Sequence, residues 1–315
     1  PTVLICTSGT AVANCLPAVI EAAMDNVPLI ILSADRPPEL HETRANQTIR
    51  QENIFADYCR WRFTLPCPDP TIPPEFVLTT VDQAVYRSRR SPAGPVHLNV
   101  QYREPFLPHQ GKPVAAGYLA AVRDWMNRAE PYTTYAQFEN TPTGVDFDRI
   151  VKSISSKTRG LLVVGRLKQR ADETAAVLVL AARLGWPVVT DILSGLRLGG
   201  IESASHLSHF DLSLLDQPSS VNFDCILHLG GPLVSKRIHQ FVVSQTAEYI
   251  VVNDYPDRQD SAHRVTMRIE GDVETFARSV IARLPKDRPV PPENPLVTTN
   301  RAISEVLAEA LQLVA

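Results

Sequence analysis

Short apolar runs alternate with segments of helical periodicity along this sequence, and this alternation constrains the fold more than any other feature. The first region contains predicted strands at 3–6, 29–32, 61–65 and 95–100 and predicted helices at 10–25 and 74–89. Two consecutive prolines, Pro37 and Pro38, exclude a helix directly after the second strand, because proline lacks an amide hydrogen and clashes with the preceding turn. Strands that alternate with helices predict a parallel sheet covered by helices.

The same alternation returns in a second region that ends near residue 285. The predicted helices there are 147–155, 172–184, 208–215, 234–243 and 273–284, and the predicted strands are 160–164, 186–190, 223–229, 249–252 and 265–269. Each strand ends at small or polar residues, which predicts a ligand crevice at the carboxyl ends of the strands. A chain of 315 residues has room for two such domains.

Two further segments connect or follow these regions. Residues 101–144 show no sustained period, so we interpret them as a connector with one short helix near 120–128. Residues 286–299 contain four prolines and are interpreted as a linker, and residues 300–315 form a last predicted helix. The chain starts on an apolar run that resembles a strand already under way, so we expect a segment of a longer polypeptide.

Composition excludes several classes of protein. A formal charge of −3 gives no electrostatic support for nucleic-acid binding. No apolar run reaches the roughly 20 residues that a membrane-spanning helix needs. The five cysteines are odd in number and form no Cys-x-x-Cys pair, so a disulfide framework and a zinc site are both disfavoured, and a reducing compartment is expected.

The first candidate site is the segment 7–14, with Gly9 in a turn between a strand and a helix. Such a turn places backbone N–H groups and hydroxyls, including that of Thr10, at the positive end of a helix, where anions and polar rings bind. The alternative is an ordinary helix cap in which a hydroxyl satisfies the first turn.

The second candidate site follows the strand 29–32. Arg36 is held between a buried strand and two prolines, which presents a rigid cation at the carboxyl edge of the sheet, and Asn46 and Gln47 could hydrogen-bond a substrate. The alternative, equally open from the residues alone, is a loop in which Asp35 or Glu39 pairs with Arg36.

The third candidate site follows the strand 223–229. Gly230 and Gly231 end this strand, and Lys236 and Arg237 lie in the first turns of the next helix. Cations there oppose the helix dipole, so an anionic ligand would offset the repulsion. The alternative is a solvated pair of side chains.

Other patterns in the sequence give weaker evidence for a functional site. His206 and His209 could share a helical face, but no nearby carboxylate completes a metal-binding set. The sequence has no Gly-x-Gly-x-x-Gly, no Walker A loop and no Gly-x-Ser-x-Gly elbow. We interpret Asp272 as the N-cap of the helix 273–284 rather than as a metal ligand.

Taken together, these stretches resemble the MenD-type synthases, thiamine diphosphate enzymes that make 2-succinyl-5-enolpyruvyl-6-hydroxy-3-cyclohexene-1-carboxylate in menaquinone and phylloquinone biosynthesis. The specific part is the run ADRPPEL at 34–40 followed by ANQTIRQ at 45–51. The chain also resembles the version of this segment carried by a large plastid protein of plants. The resemblance implies a plastid location for a plant protein and a cytoplasmic one otherwise.

The resemblance implies a domain order. Residues 1–103 would be the C-terminal half of a pyrimidine-binding domain, with a parallel sheet between helices, and 104–143 a connector. Residues 144–285 would be a doubly wound central α/β domain, and 286–315 a linker with the first helix of a diphosphate-binding domain. Half of a doubly wound domain leaves a sheet edge uncovered, so we expect poor solubility or self-association of this chain alone.

The resemblance also implies an activity. The family decarboxylates 2-oxoglutarate and adds the remaining succinyl semialdehyde unit to isochorismate. Thr10 would lie near the aminopyrimidine of thiamine diphosphate, and Gln47 would act in catalysis, contacting the reaction intermediate and the acceptor. The residues implied in substrate binding are Arg36, Asn46, Gln47, Lys236 and Arg237. No metal ligand is assigned, and the full-length family members are expected to form dimers or tetramers.

Two motifs of the family have no counterpart in this sequence. These are the glutamate that activates the aminopyrimidine and the Gly-Asp-Gly…Asn motif that holds magnesium and the diphosphate. We therefore expect the chain alone to be inactive and not to bind the cofactor productively. The alternatives are another thiamine diphosphate carboligase or decarboxylase, and a non-catalytic scaffold.

Overall fold

The computed structural model describes residues 1–104, 117–135, 145–168, 170–197, 205–215, 221–285, 287, 291–292 and 294–312. The chain divides into two compact units, Pro1–Phe138 and Glu139–Ala315. Each unit contains one sheet of parallel strands with helices on both faces, which confirms the predicted fold class. None of the described helices is long and apolar enough to cross a membrane.

The first unit contains a sheet of four parallel strands in the order β1-β2-β4-β3. Its elements in chain order are β1 (Thr2–Cys6), α1 (Thr10–Ala13), α2 (Leu16–Met24), β2 (Leu29–Asp35), β3 (Trp61–Leu65), α3 (Pro74–Arg89), β4 (Pro95–Gln101) and α4 (Arg123–Met126). The short helix expected near 120–128 is confirmed by α4 and the 3-10 turn that precedes it.

Two apolar clusters hold this sheet between its helices. On one face, Val19 of α2 packs with Ile31 and Phe55, and on the other, Ala84 of α3 packs with Leu98. The strand β1 lies at the edge of the sheet, where Val3 and Ile5 are 51% and 77% exposed. This open edge is the physical basis of the expected self-association, which stays a prediction.

The predicted helix 10–25 is wrong in one respect, because it is divided into α1 and α2. Pro17 lies at the second position of α2 and has no amide hydrogen to bond back to α1, so the chain restarts its helix there. The apolar period continues through the break because Val12 and Val19 both join the same cluster.

The second unit contains a sheet of five parallel strands in the order β6-β5-β7-β8-β9. Its elements in chain order are α5 (Val145–Ser156), β5 (Gly160–Val164), α6 (Ala171–Leu184), β6 (Val188–Thr190), α7 (Phe210–Ser213), β7 (Cys225–Leu229), α8 (Lys236–Ser244), β8 (Glu248–Asn253), β9 (Met267–Glu270), α9 (Val273–Arg283) and α10 (Pro295–Gln312). The helices α5, α6 and α9 cover one face of the sheet, and α7 and α8 cover the other.

The last helix begins earlier than the sequence indicated. Residues 295–299 were expected to be linker, but α10 begins at Pro295, and the side chain of Asn294 accepts a hydrogen bond from the amide of Leu296. Proline is favoured at the first position of a helix, so the same residue that ends a linker starts α10. Leu296 is buried, and Asn300 bonds the backbone of His206 and His209, so the first turns of α10 pack against the other elements of the second unit.

Candidate active site

The turn after β1 has a geometry that only glycine adopts easily. Gly9 has φ +84° and precedes α1, and its amide donates a hydrogen bond of 2.6 Å to Oε1 of Gln51. Ser8 is buried in this turn, whereas Thr10, the first residue of α1, is exposed. The hydroxyl of Thr10 is therefore accessible to a ligand at the carboxyl end of β1.

The structure brings Gln47 against this turn. A Cβ added to Gly9 would lie 3.3 Å from Cα of Gln47, so the two backbones are in close contact. Gln47 itself has φ +55°, an unfavourable value for a residue with a side chain, and its side chain is exposed, as is that of Asn46. Three of the first unit's predicted site residues, Thr10, Asn46 and Gln47, thus lie on two segments that touch.

Arg36 follows β2 at the same carboxyl edge. Its amide donates a hydrogen bond of 2.8 Å to Oδ1 of Asp35, and its guanidinium lies 3.6 Å from the carboxylate of Glu104. The Arg36 side chain is 18% exposed, whereas that of Glu104 is 69% exposed. Glu39, which the alternative interpretation offered with Asp35 as a partner of Arg36, forms an ion pair with Arg103.

A buried polar network that the sequence interpretation missed lies beneath these loops. Asn99 of β4 accepts hydrogen bonds from Ser33 Oγ and Gln51 Nε2, and its own Nδ2 donates to Oδ2 of Asp35. Ser33 Oγ also bonds the ring of His97 at 2.7 Å. Burial lowers the pKa of His97 to about 4, so this ring is neutral at pH 7.

The signal for this network was present in the strands. Polar residues occupy alternate positions at the ends of β2 and β4, and the register pairs Ser33 with Asn99 and Asp35 with Gln101. Side chains at alternate positions of a strand share one face of the sheet. All four of these side chains are buried.

A groove of about 740 Å³ runs along the loop between β2 and β3. Its lining includes His41, Arg44, Arg50 and Gln51. Arg50 forms an ion pair of 2.9 Å with Glu42, and both side chains are largely exposed. The groove is therefore a polar surface beside the segment that carries Asn46 and Gln47.

In the second unit, Lys236 and Arg237 are the first two residues of α8, and both are exposed. Ser235 caps this helix, because its Oγ accepts a hydrogen bond from the amide of Ile238. Within the described ranges, neither Lys236 nor Arg237 forms an ion pair or a side-chain hydrogen bond. Their charges are thus available to an anion.

Asp191 fixes the loop that precedes these two cations. It is 1% exposed and follows β6, and its Oδ2 accepts hydrogen bonds from the amides of Val234 and Ser235 at 2.8 and 3.3 Å. Its Oδ1 accepts a third bond, from the amide of Leu193 at 3.0 Å. Sequence reasoning missed Asp191, although a buried acid directly after a strand is a recognisable signal.

The strands β5 and β7 of the second unit also approach each other closely at their carboxyl ends. A Cβ on Gly165 would lie 2.0 Å from the carbonyl oxygen of Gly231, so no larger residue fits there. His228 is fully buried beside this crossing and bonds both Tyr249 Oη and Gly231 O. Burial lowers its pKa to about 4, which keeps the ring neutral.

The described residues fit only part of a thiamine diphosphate site. The first unit offers the exposed hydroxyl of Thr10 and the amides of Asn46 and Gln47. Across the ranges that the structure describes, no group of three or more His, Cys, Asp and Glu side chains could hold a metal ion. His206 instead bonds Thr190 at 3.0 Å.

Two family models match the chain. Residues 1–54 match the model described as "Thiamine pyrophosphate enzyme, N-terminal TPP binding domain", and residues 116–312 match "Middle domain of thiamine pyrophosphate". A solved structure of a thiamin diphosphate-dependent enzyme from Mycobacterium smegmatis superposes with a TM-score of 0.63 at 16% identity. That superposition covers 92% of this chain and 52% of the other, and it supports the fold.

Curated relatives are more similar in sequence. Two of them are named 2-succinyl-5-enolpyruvyl-6-hydroxy-3-cyclohexene-1-carboxylate synthase. The protein from Rubrobacter xylanophilus is 45% identical to this chain over 90% of the chain and 49% of its own length. The protein from Salinibacter ruber is 41% identical over 90% of the chain and 48% of its own length. Protein PHYLLO, chloroplastic, of Arabidopsis thaliana is 39% identical over 89% of this chain and 17% of its own length. The chain thus spans about half the length of the bacterial relatives. Since the middle-domain model alone matches more than half of its residues, the chain belongs to the thiamine pyrophosphate enzyme family.

Proposed function

We propose that this chain forms part of a 2-succinyl-5-enolpyruvyl-6-hydroxy-3-cyclohexene-1-carboxylate synthase. The reaction decarboxylates 2-oxoglutarate and adds the resulting succinyl semialdehyde unit to isochorismate, as a step towards menaquinone or phylloquinone. The observation that carries the proposal is the contact between Gly9 and Gln47, because it brings the turn that carries Thr10 against the 45–51 segment of the specific sequence motif.

Arg36 is proposed to bind a substrate carboxylate. Its position directly after β2 is fixed by its amide bond to Asp35, and Pro37 is buried beside it. The Glu104 carboxylate, 3.6 Å from the guanidinium and largely in solvent, shows that an acid can approach this cation. A dicarboxylate substrate can replace such an exposed partner, since solvent-exposed ion pairs contribute little free energy.

Gln47 and Asn46 are proposed to bind the reacting part of the substrates, with Gln47 acting in catalysis. An exposed carboxamide both donates and accepts hydrogen bonds, so it orients a carbonyl or hydroxyl without adding charge. The close contact with Gly9 places Cα and Cβ of Gln47 beside the turn that carries Thr10. Thr10, whose hydroxyl is exposed beside this contact, is proposed to face the cofactor.

Lys236 and Arg237 are proposed to bind a substrate carboxylate in the complete enzyme. Both are exposed at the start of α8, where the amide dipoles already favour an anion. An anionic ligand would therefore interact with two side-chain cations and the helix terminus together.

Thiamine diphosphate is the proposed cofactor, and when bound it stabilises the carbanion that follows loss of carbon dioxide. Magnesium is proposed to hold its diphosphate in the complete enzyme. We further propose that the chain by itself is inactive. Isothermal titration of the chain with thiamine diphosphate and Mg²⁺ tests this, and tight magnesium-dependent binding would contradict it.

The remaining proposals concern the setting of the enzyme. The complete protein is proposed to act as a dimer or tetramer on small-molecule substrates. For a plant source we propose the chloroplast, since a relative is described as chloroplastic. A bacterial source would imply the cytoplasm.

The proposed activity is tested with the complete coding sequence that contains this chain. The wild-type sequence should restore growth of a menaquinone-deficient bacterium and should form the product from isochorismate and 2-oxoglutarate in vitro. Arg36→Ala should lower kcat/KM by roughly ten- to a hundredfold, because a hydrogen bond to a charged group contributes about 1.5–3 kcal/mol. The matched control is Arg62→Ala, since Arg62 is an exposed arginine on β3.

The outcomes separate activity from residue role. Absence of product with the wild-type protein would refute the synthase assignment. Near-normal turnover of Arg36→Ala beside an active wild type would refute only the role of Arg36. The double variant Lys236→Ala and Arg237→Ala should raise the KM for a carboxylate substrate, whereas Arg258→Ala, at an exposed arginine of the same unit, should not.

A further inference from the structure

Gln51 is a buried residue that no proposed step uses. It is 1% exposed, and its Oε1 accepts the hydrogen bond from the amide of Gly9 at 2.6 Å. Its Nε2 donates two hydrogen bonds of 2.9 Å, to the carbonyl oxygen of Ala34 and to Oδ1 of Asn99. One carboxamide therefore joins the turn after β1, the end of β2 and the end of β4.

These bonds act on the same turn that Gln47 contacts. Gln51 ends the segment that carries Asn46 and Gln47, so this segment contacts Gly9 twice, through the amide bond to Gln51 and through the backbone of Gln47. Gly9 and Gln47 both have positive φ, at +84° and +55°. Glycine adopts such a conformation freely, but Gln47 carries a side chain, and its conformation persists only where surrounding contacts fix it. Gln51 supplies a buried contact to the Gly9 turn, which the backbone of Gln47 touches.

The network extends from Gln51 to the loop of Arg36. Asn99, which accepts from Gln51, donates to Oδ2 of Asp35 at 2.7 Å. Oδ1 of Asp35 accepts the amide of Arg36. Hydrogen bonds thus lead from Gln51 through Asn99 and Asp35 to the amide of Arg36, so displacement of Gln51 disturbs both loops of the first unit that bear candidate site residues.

We propose that Gln51 is the positioning residue of this site. Its carboxamide sets the Gly9 turn and the 45–51 segment in the one arrangement that places Thr10 beside Gln47, and it acts without contacting the substrate. This inference rests on the proposed function for its catalytic consequence, but the fixing of the turn can be measured independently.

The experiment uses the complete coding sequence with three variants. Gln51→Met keeps the length of the side chain and removes its hydrogen bonds. Gln51→Glu keeps the oxygen that accepts from Gly9 but, when ionised, loses both donated bonds. Gln83→Met, on α3, is the control. Gln83 is half-buried and forms no described side-chain hydrogen bond. Steady-state kinetics and amide hydrogen exchange are measured for each protein, with circular dichroism to confirm folding.

Gln51→Met should lower kcat at least tenfold while the KM for the keto acid substrate changes less than threefold, and Gln83→Met should change neither. Gln51→Glu should recover relative to wild type as the pH falls, because a protonated carboxyl regains a donor towards Ala34 or Asn99. The ionisable groups that face this network are Asp35, His41 and His97, and all three are present in both proteins. A Gln51→Glu protein that is folded by circular dichroism at both pH values, and whose kcat recovers at the lower one, has lost the position of the turn rather than its fold.

Hydrogen exchange decides the proposal where kinetics cannot. In the wild-type protein the amide of Gly9 should exchange as slowly as those of β2, and Gln51→Met should speed its exchange at least tenfold. Rapid exchange of Gly9 in the wild type overturns the proposal even where the variants fail to fold. A folded Gln51→Met protein with normal kcat and slow Gly9 exchange also overturns it, whereas an inactive wild type refutes the synthase activity alone.

Discussion

Asp191 holds the loop before Lys236 and Arg237, and its removal gives the most direct measure of how that loop is fixed. The carboxylate accepts three backbone N–H bonds, from Leu193, Val234 and Ser235. Loss of a partner for a buried donor costs roughly 1–3 kcal/mol. The lower value applies here because Val234 is 62% exposed and its segment can reach water. Asp191→Ala should therefore lower the free energy of unfolding by about 3 kcal/mol, the sum of three such losses.

The assay is urea unfolding followed by the fluorescence of Trp186, which is fully buried in the second unit. Trp61 and Trp125 are replaced by phenylalanine in all proteins, so the signal reports this unit alone. Asp257→Ala is the control, because Asp257 is exposed and forms no described ion pair. Asp191→Asn, which keeps one acceptor oxygen, should lose roughly half as much as Asp191→Ala. The reasoning is refuted if the free energies of unfolding of Asp191→Ala and Asp257→Ala differ by less than about 0.5 kcal/mol, which is the size of an ordinary surface effect.

Two further predictions concern conformation and protonation. Gly9→Ala should lower the free energy of unfolding by about 1–2 kcal/mol, seen as a lower thermal midpoint, because a φ of +84° is strained for alanine and the new Cβ would press on Gln47. Gly117→Ala is the control and should not lower it, because a Cβ there meets no atom within 4 Å. The buried rings of His97 and His228 have pKa values of about 4, below the unfolded value of about 6.5. The unfolded state therefore binds more protons between these values, and the stability gained from each neutral ring, at most about 3 kcal/mol, should decline as the pH falls from 6.5 to 4. Urea unfolding at pH 7, 5.5 and 4.5 checks the sign, and unchanged stability across that range would contradict the burial of both rings in their neutral form.

Much of the fold follows from local pattern. The strand Gly160–Val164 was predicted with its observed bounds, because a glycine starts a run of four apolar residues that are buried on both faces of the sheet. The helix Pro74–Arg89 was also predicted with its observed bounds, since prolines start it and the apolar period runs unbroken to two arginines. The helices around Pro17 and Pro295 were harder, because one proline divides a periodic segment and the other begins a helix inside a proline-rich one.

The candidate site was predictable only where its residues lie in short motifs. Thr10, Arg36 and Gln47 each follow a strand or lie in a recognisable run, but the bonds that position them come from residues distant in sequence. Asn99 lies 64 positions from Asp35 and meets it through the register of β2 and β4. Gln51 lies 48 positions from Asn99 and reaches it from the loop between β2 and β3. The strand order β1-β2-β4-β3 makes β2 and β4 neighbours, and periodicity along one segment predicts neither this order nor the register.

The two units position their candidate cations in the same physical way. A buried acid at the end of a strand accepts backbone N–H groups of the loop, Asp35 from Arg36 itself and Asp191 from Val234 and Ser235. A carboxylate held by backbone donors fixes the path of the chain while the side-chain cation keeps its charge for another partner. Replacement of either acid by its amide should therefore move the cations without removing them. The affinity for carboxylate ligands should then depend less on the shape of the ligand, because the cations no longer have a fixed position. The affinity should still fall as the salt concentration rises, because both charges remain.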